Sequence, residues 1–276
     1  VVGREVPRIE LGTSVVPTYP RHPHAIAQQC HTVAAVSGNR LTLGIGLSHK
    51  VVIENMLGMS YDKPVRHLRE YLSILMPLAR CEKAKFTGET YTTNGSLHGV
   101  GSSPFSVVVA ALGEQMLRVT GTLADGTLTW CTGPKTLQAL TVPTINEAAK
   151  IAGRPAPRVI AALPVCVTKD VVKAHEFAAK AFVIYGQLPS YRAMLDHEGA
   201  AGPADIVIAG GMESMTNAPY LAQGARGGFR YGNTELQDAI IKDGLWCAFD
   251  ACLMGLGTDR YTDGKISRQE QDDLAM

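Results

Sequence analysis

The chain carries little charge for its length. Of its 276 residues 18% are charged, and 26 Lys and Arg against 25 Asp and Glu leave a net charge of +1. No basic block recurs, which argues against a nucleic-acid or acidic-membrane surface. No apolar run is long enough to cross a bilayer, and no charged segment precedes an apolar stretch at the start, so neither a membrane span nor a signal peptide is expected. The six cysteines (30, 81, 131, 166, 247 and 252) include no CxxC pair. Four sit in apolar surroundings, so structural thiols in a reducing cytoplasm are expected rather than disulfides. No histidine and carboxylate set has metal spacing, so no metal is expected. Gly210, Gly211, Gly224, Gly227 and Gly228 do not form GxGxxG after a strand, so there is no dinucleotide fingerprint.

What is present is an alternation of buried strands and amphipathic helices. Ile9 to Val16 is apolar and β-branched, as in a strand buried on both faces, and Pro17 and Pro20 stop it. His24 to Val36 places Ala25, Ile26, Cys30, Val33, Ala34 and Val36 on one helical stripe. Gly38-Asn39 ends that helix, and Leu41 to Ile45 is the next strand. Strand, helix and strand within about forty residues make a βαβ unit, hence a parallel sheet. Pro64 to Arg80 reads as an amphipathic helix with Val65, Leu68, Leu72, Leu75 and Met76 on its apolar face. Residues 82–104 read as a long loop or hairpin. Further strands are expected at 107–112, 127–131 and 159–167. Helices follow at 113 onward, at 134–152 with a break at Pro143, and at 170–198 with interruptions near Gly186 and Pro189. This alternation fits an α/β barrel.

One turn has a chemical meaning of its own. Val107 to Leu112 runs straight into a helix that opens at Gly113. Ala110, Ala111, Leu112 and Gly113 are small or flexible enough for close backbone approach, and a helix N-terminus presents free N–H groups to an anion. The plainer reading is a capped helix start.

The strings LGTSVVPTYPRHP and RLTLGIGLSHK resemble the third and fourth strands of the luciferase-like monooxygenase superfamily, most closely its deazaflavin-dependent branch. The resemblance continues through VVVAALGEQMLRVTGTLADGTLTW to YGQLPSYRAMLDHEGAAGPAD, about three quarters of the chain. It implies a (β/α)8 TIM barrel, here partial, because the match begins just before the third strand and the first two β/α units are lacking. It also implies hydride transfer between a deazaflavin coenzyme (F-420), or alternatively FMN, and a small organic substrate. A cofactor phosphate would sit at Ala110–Gly113. A non-prolyl cis peptide is implied at Ser14-Val15, against the back of the deazaflavin ring; the ordinary reading is a trans strand. Gly44, Gly46, Leu47, Ser48 and His49 end the fourth strand and would face the cofactor, or else form a capped loop. Trp130 would wall the pocket or pack in the core. His22, His24 and His31 read as surface or packing residues. With the first two units go the positions from which a catalytic acid or base would be chosen, so no catalytic residue is assigned. A homo-oligomer is left open.

From residue 206 the character changes. GGMESMTNAPY and the residues after it resemble thiolase, the acetyl-CoA acetyltransferases, so two parts are expected: a barrel fragment over 1–205 and a thiolase-like α/β fragment over 206–276. Strand Ile206 to Ala209 falls where the eighth barrel strand belongs. Leu245 and Met254 match a thiolase pattern bordering the acyl-CoA site, but Leu253 stands where many members have His. The thiolase nucleophile motif is absent, and both ends of the chain look cut. The alternatives to an oxidoreductase are an acyltransferase fragment and a hybrid chain without activity.

Overall fold

A computed structural model describes residues 2–97, 103–168, 170–206 and 208–210, and beyond these only short pieces. Two compact units divide at Ala209 and Gly210. The first begins with a short helix α1 (Val2–Glu5), then β1 (Leu11–Gly12), β2 (Val16–Pro17), α2 (Pro23–Val36) and β3 (Leu41–Gly46). A π-helical turn (Val52–Met56), α3 (Pro64–Ala79), β4 (Ala84–Thr87), β5 (Thr92–Gly95) and β6 (Ser106–Val109) follow. Then come α4 (Glu114–Leu123), β7 (Gly126–Trp130), α5 (Pro134–Thr136), α6 (Val142–Ile151), β8 (Arg158–Ala162), β9 (Val165–Val167), α7 (Val171–Ala181), α8 (Val183–Gln187), α9 (Pro189–Glu198) and β10 (Ile208–Gly210).

The main sheet runs β1–β3–β6–β7–β8, with β2 also paired to β3, and every pairing in it is parallel. Register follows Val16↔Ile45↔Val109↔Thr127↔Val159. This is a parallel α/β half-barrel. All six residues of β3 are buried, as expected of a central parallel strand.

The helices form where the sequence caps them. His22 accepts the His24 N–H at 3.2 Å through Nδ1, and Pro23 opens α2. Gly38 and Asn39 close it in the left-handed region, at φ 64° and 60°. Its inward face is Ile26, Ala27, Cys30, His31 and Ala34; the expected stripe was too wide, since Val33 and Val36 are exposed. Leu68, Leu72 and Leu75 of α3 are fully buried, beside Tyr71, Ile74 and Leu78. Each such leucine contributes about 1.5–3 kcal/mol of burial. These side chains pack with Leu43, Ile45, Val107 and Val109 in one core.

Several boundaries differ from the sequence reading. The first strand is two short pieces, broken at a cis Ser14-Val15 peptide. The strand expected over 159–167 divides into β8 and β9, because Pro164 between them has no N–H for a ladder. Pro143 does not break its helix. It sits in the first turn of α6, and a π-turn over Leu137–Thr141 carries the chain into it. The 170–198 helix falls into α7, α8 and α9: the break expected near Pro189 lies at Leu188, while the other lies at Phe182 and Gly186 sits inside α8. Residues 203–206 form a 3-10 turn, and the strand after it, β10, pairs with β9 and not with β8. The 82–104 stretch, read as a long loop or hairpin, does hold an antiparallel hairpin, β4 with β5. Its turn is held by the buried Glu70, whose carboxylate accepts the Glu89, Thr90 and Tyr91 N–H groups at 2.8–3.0 Å.

In the second unit Tyr220–Ala222 pairs antiparallel with Leu236–Asp238, and Trp246–Cys247 with Cys252–Leu253. Leu245 and Met254 lie outside the described residues. No helix among the described residues is long and apolar enough to cross a membrane.

Candidate functional site

A cavity of about 970 Å³ opens where the C-terminal ends of β2, β3, β6 and β7 converge. In parallel α/β sheets that end is where ligands bind, because loops and helix N-termini meet there. Ser14, Val15, Gly46, Leu47, Ser48, His49, Ala110, Leu112 and Gly113 all line it. Gly44 and Ala111, the other two of the expected set, do not.

Gly44 stands behind the wall. Thr13 Oγ1 donates to its carbonyl at 2.8 Å and accepts its N–H at 2.9 Å. A Cβ on Gly44 would come within 1.9 Å of the Thr13 carbonyl oxygen. Gly46 likewise has no spare room: its Cβ would meet Val15 Cγ2 at 2.7 Å and Ala110 Cβ at 3.3 Å. Both glycines therefore let the Ser14-Val15 segment lie against β3. Gly113 is different, because a Cβ there would meet nothing within 4 Å. It precedes α4 without a side-chain cap, so the first-turn N–H groups stay available beside the cavity. Glu114, in that turn, is tied up by Arg118 at 2.8 Å.

Ser48 takes a left-handed φ of 62°, and Tyr61 donates its hydroxyl to the Ser48 carbonyl at 3.2 Å. Burial pushes the His49 pKa below the usual histidine range, so its imidazole is neutral at pH 7. Beyond it lies an aromatic wall. The His49 ring is 5.8 Å from that of Tyr191, Tyr191 is 4.9 Å from Tyr185, and Tyr185 is 6.2 Å from Trp130. Trp130 is thus both packed and exposed to the cavity, and its indole N–H is buried without a partner. Lys50 and Glu54 line the opening and lie 3.8 Å apart.

Sequence reasoning missed Tyr61, Met116, Tyr185 and Tyr191 as lining residues. Tyr185 and Tyr191 flank the break between α8 and α9 at Leu188-Pro189, and nothing local in the sequence points them at the end of β3. Of the histidines set aside as surface or packing residues, His22 caps α2 and His31 reaches the Leu78 carbonyl at 2.9 Å. Among the described residues no cluster of His, Cys, Asp or Glu could hold a metal ion.

This fold and site define a class. The chain belongs to the luciferase-like monooxygenase family, whose model matches residues 2–226. Its particular relatives include the 5,10-methylenetetrahydromethanopterin reductase of Archaeoglobus fulgidus, 30% identical over 76% of this chain and 62% of that protein. The chain thus spans less than two thirds of that relative. Among solved structures, the coenzyme F420-dependent tetrahydromethanopterin reductase of Methanopyrus kandleri superposes with a TM-score of 0.56 at 24% identity, over 70% of this chain and 60% of that one. An F420-dependent secondary alcohol dehydrogenase superposes at 0.57 and 18% identity, over 73% and 66%. These two share the fold. The thiolase N-terminal domain model matches residues 193–276, so both families match 193–226. The acetyl-CoA acetyltransferase of Saccharomyces pastorianus is 47% identical over 27% of this chain and 19% of its own length.

Proposed function

We propose that the cavity of the half-barrel is a coenzyme site. In this reading residues 1–205 form a deazaflavin-dependent oxidoreductase fragment acting on a small organic substrate in the cytoplasm. The observation that carries this is the convergence on one cavity of the Ser14-Val15 segment, the β3 end and the uncapped start of α4. The residues fit such a group. Val15 and Gly46 offer a close-packed apolar backing for a flat ring, with Ser14 beside them. The backbone of Leu112 and Gly113 leads into free N–H groups suited to a phosphate. The volume is at the upper end for ligand pockets and leaves room for a substrate beside a three-ring system. The coenzyme would supply the hydride chemistry, and the chain would orient it and exclude water. His49, neutral at pH 7, would present a hydrogen-bonding nitrogen to either ligand.

The strands of the main parallel sheet correspond, in this reading, to the third to seventh staves of an eight-stave barrel. Residues 206–276 are then a thiolase-type fragment to which no acyl transfer is assigned. The LGTSVVPTYPRHP and RLTLGIGLSHK strings, which resemble the deazaflavin-dependent branch, favour the deazaflavin over FMN. Titration of the purified chain with oxidised deazaflavin coenzyme, followed by its fluorescence, tests the proposal. Saturable quenching supports it. Saturation by FMN alone would move the chain to the flavin side of the family, and a response to acetyl-CoA alone would favour the acyltransferase reading.

A further inference from the structure

The cavity has two chemically different sides, and the second carries its own ligand preference. One side is small residues and backbone: Gly46, Ala110 and Gly113. The other is Trp130, Tyr185, Tyr191 and the neutral His49. Its rings are set at steep angles to one another, 65° between Trp130 and Tyr185 and 66° between Tyr185 and Tyr191. A set of tilted rings offers both a face and an edge to a flat guest, the two arrangements aromatic pairs prefer. Burial raises the Tyr191 phenol well above the usual tyrosine range, so it stays a neutral O–H donor at any working pH.

Charge on this cavity is nearly self-cancelling. Among the described residues, Lys50 and Glu54 are the charged side chains lining it, and they lie 3.8 Å apart. No arginine is among the described lining residues. A carboxylate or phosphate on the guest would find no guanidinium fork on this side. A cationic guest would find aromatic faces, but the one carboxylate already has a lysine beside it.

We infer that Trp130, Tyr185 and Tyr191 form a substrate subsite selective for an uncharged aromatic or heteroaromatic ring. The inference rests on the coenzyme reading of the cavity only in naming its guest a substrate. The test is calorimetric titration of the full chain with four probes of similar size: quinoxaline, the saturated bicycle decalone, quinoline-2-carboxylate and N-methylquinolinium. Quinoxaline is expected to bind at least about fivefold more tightly than the other three, a difference one or two aromatic contacts can supply. Tyr191→Leu should abolish that preference. Equal binding of decalone, or tighter binding of either charged ring, overturns the inference, as does a Tyr191→Leu protein that keeps the preference. Should Tyr191→Leu fail to fold, the wild-type ranking decides alone. Ring selectivity without deazaflavin binding would sink the coenzyme reading and leave the subsite standing. Deazaflavin binding without ring selectivity would do the reverse.

Discussion

Arg158 and Glu10 stand 148 residues apart in the chain and meet in an ion pair, one guanidinium nitrogen lying 2.7 and 2.9 Å from the two carboxylate oxygens. Glu10 immediately precedes β1 and Arg158 opens β8, so the pair ties the two end strands of the sheet at their N-terminal side. Thr42 of β3 donates to the same carboxylate. The pair lies at the opposite strand ends from the cavity.

Both partners are about half exposed, at 57% and 45%, so water screens the contact. A double-mutant cycle with Glu10→Gln and Arg158→Met should give a coupling of about 0.2–1 kcal/mol in urea unfolding. The Arg158 and Thr42 hydrogen bonds lower the Glu10 pKa. A carboxylate with a depressed pKa stabilises above its unfolded value and loses that contribution as pH falls through the folded value. The coupling should therefore fade only below the ordinary glutamate range, near pH 4.5. A coupling unchanged down to pH 3 would contradict the assignment.

Asp125 is the stronger tie. It accepts the Val107 N–H at 2.9 Å, and both Arg80 and Arg154 reach its Oδ1. Asp125→Ala leaves an N–H and two guanidinium groups short of their acceptor, and should cost about 2–4 kcal/mol in chemical unfolding. A loss below about 0.5 kcal/mol would mean the network is incidental.

The glycines separate by what surrounds them. Gly44→Ala drives a methyl into the Thr13 carbonyl and should destabilise by more than about 2 kcal/mol. Gly113→Ala meets open space at an ordinary φ of −77° and should stay within about 0.5 kcal/mol of the parent. Thermal unfolding of the two variants side by side checks the contrast. Equal stability would deny that β3 is pressed by the Ser14-Val15 segment.

Buried His67 supplies a pH test. Its Nε2 pairs with Thr18 Oγ1 at 2.9 Å and its ring stacks on Tyr19, 3.9 Å away. Burial lowers its pKa to about 4, against a smaller upward pull from Glu70. Between about pH 6.5 and pH 4 the unfolded chain then binds a proton the folded chain refuses, so stability falls as pH falls through that window. The urea midpoint should drop across it more steeply in the parent than in His67→Gln. Parallel curves would contradict the buried, neutral assignment.

The order of strands and helices was legible because it depends on short-range patterning: the apolar run at 41–45, the β-branched run at 107–109, and the leucine spacing of α3. The end of β3 and the small-residue turn at 110–113 could be placed at a cavity because parallel strands put their C-terminal ends together. What the sequence hid was set by contacts distant along the chain. Val33 and Val36 look like core until the helix orientation is known. Gly44 looks like a cofactor glycine until Thr13 is seen bonded to its backbone. Tyr185 and Tyr191 join His49 only through a fold that brings α8 and α9 over the end of β3, and no local pattern announces that.

The cavity bounded by Ser14, Gly46 and Gly113 is the proposed seat of a ring coenzyme. The most direct measurement is deazaflavin affinity by fluorescence titration for the parent chain and for Leu112→Trp, whose indole would project from a lining position into the cavity. The parent should bind saturably, and the variant, with an unchanged unfolding transition, should bind at least about tenfold more weakly. Equal affinity in the two, or no saturable binding of deazaflavin or FMN by a cooperatively folded parent, would contradict the account.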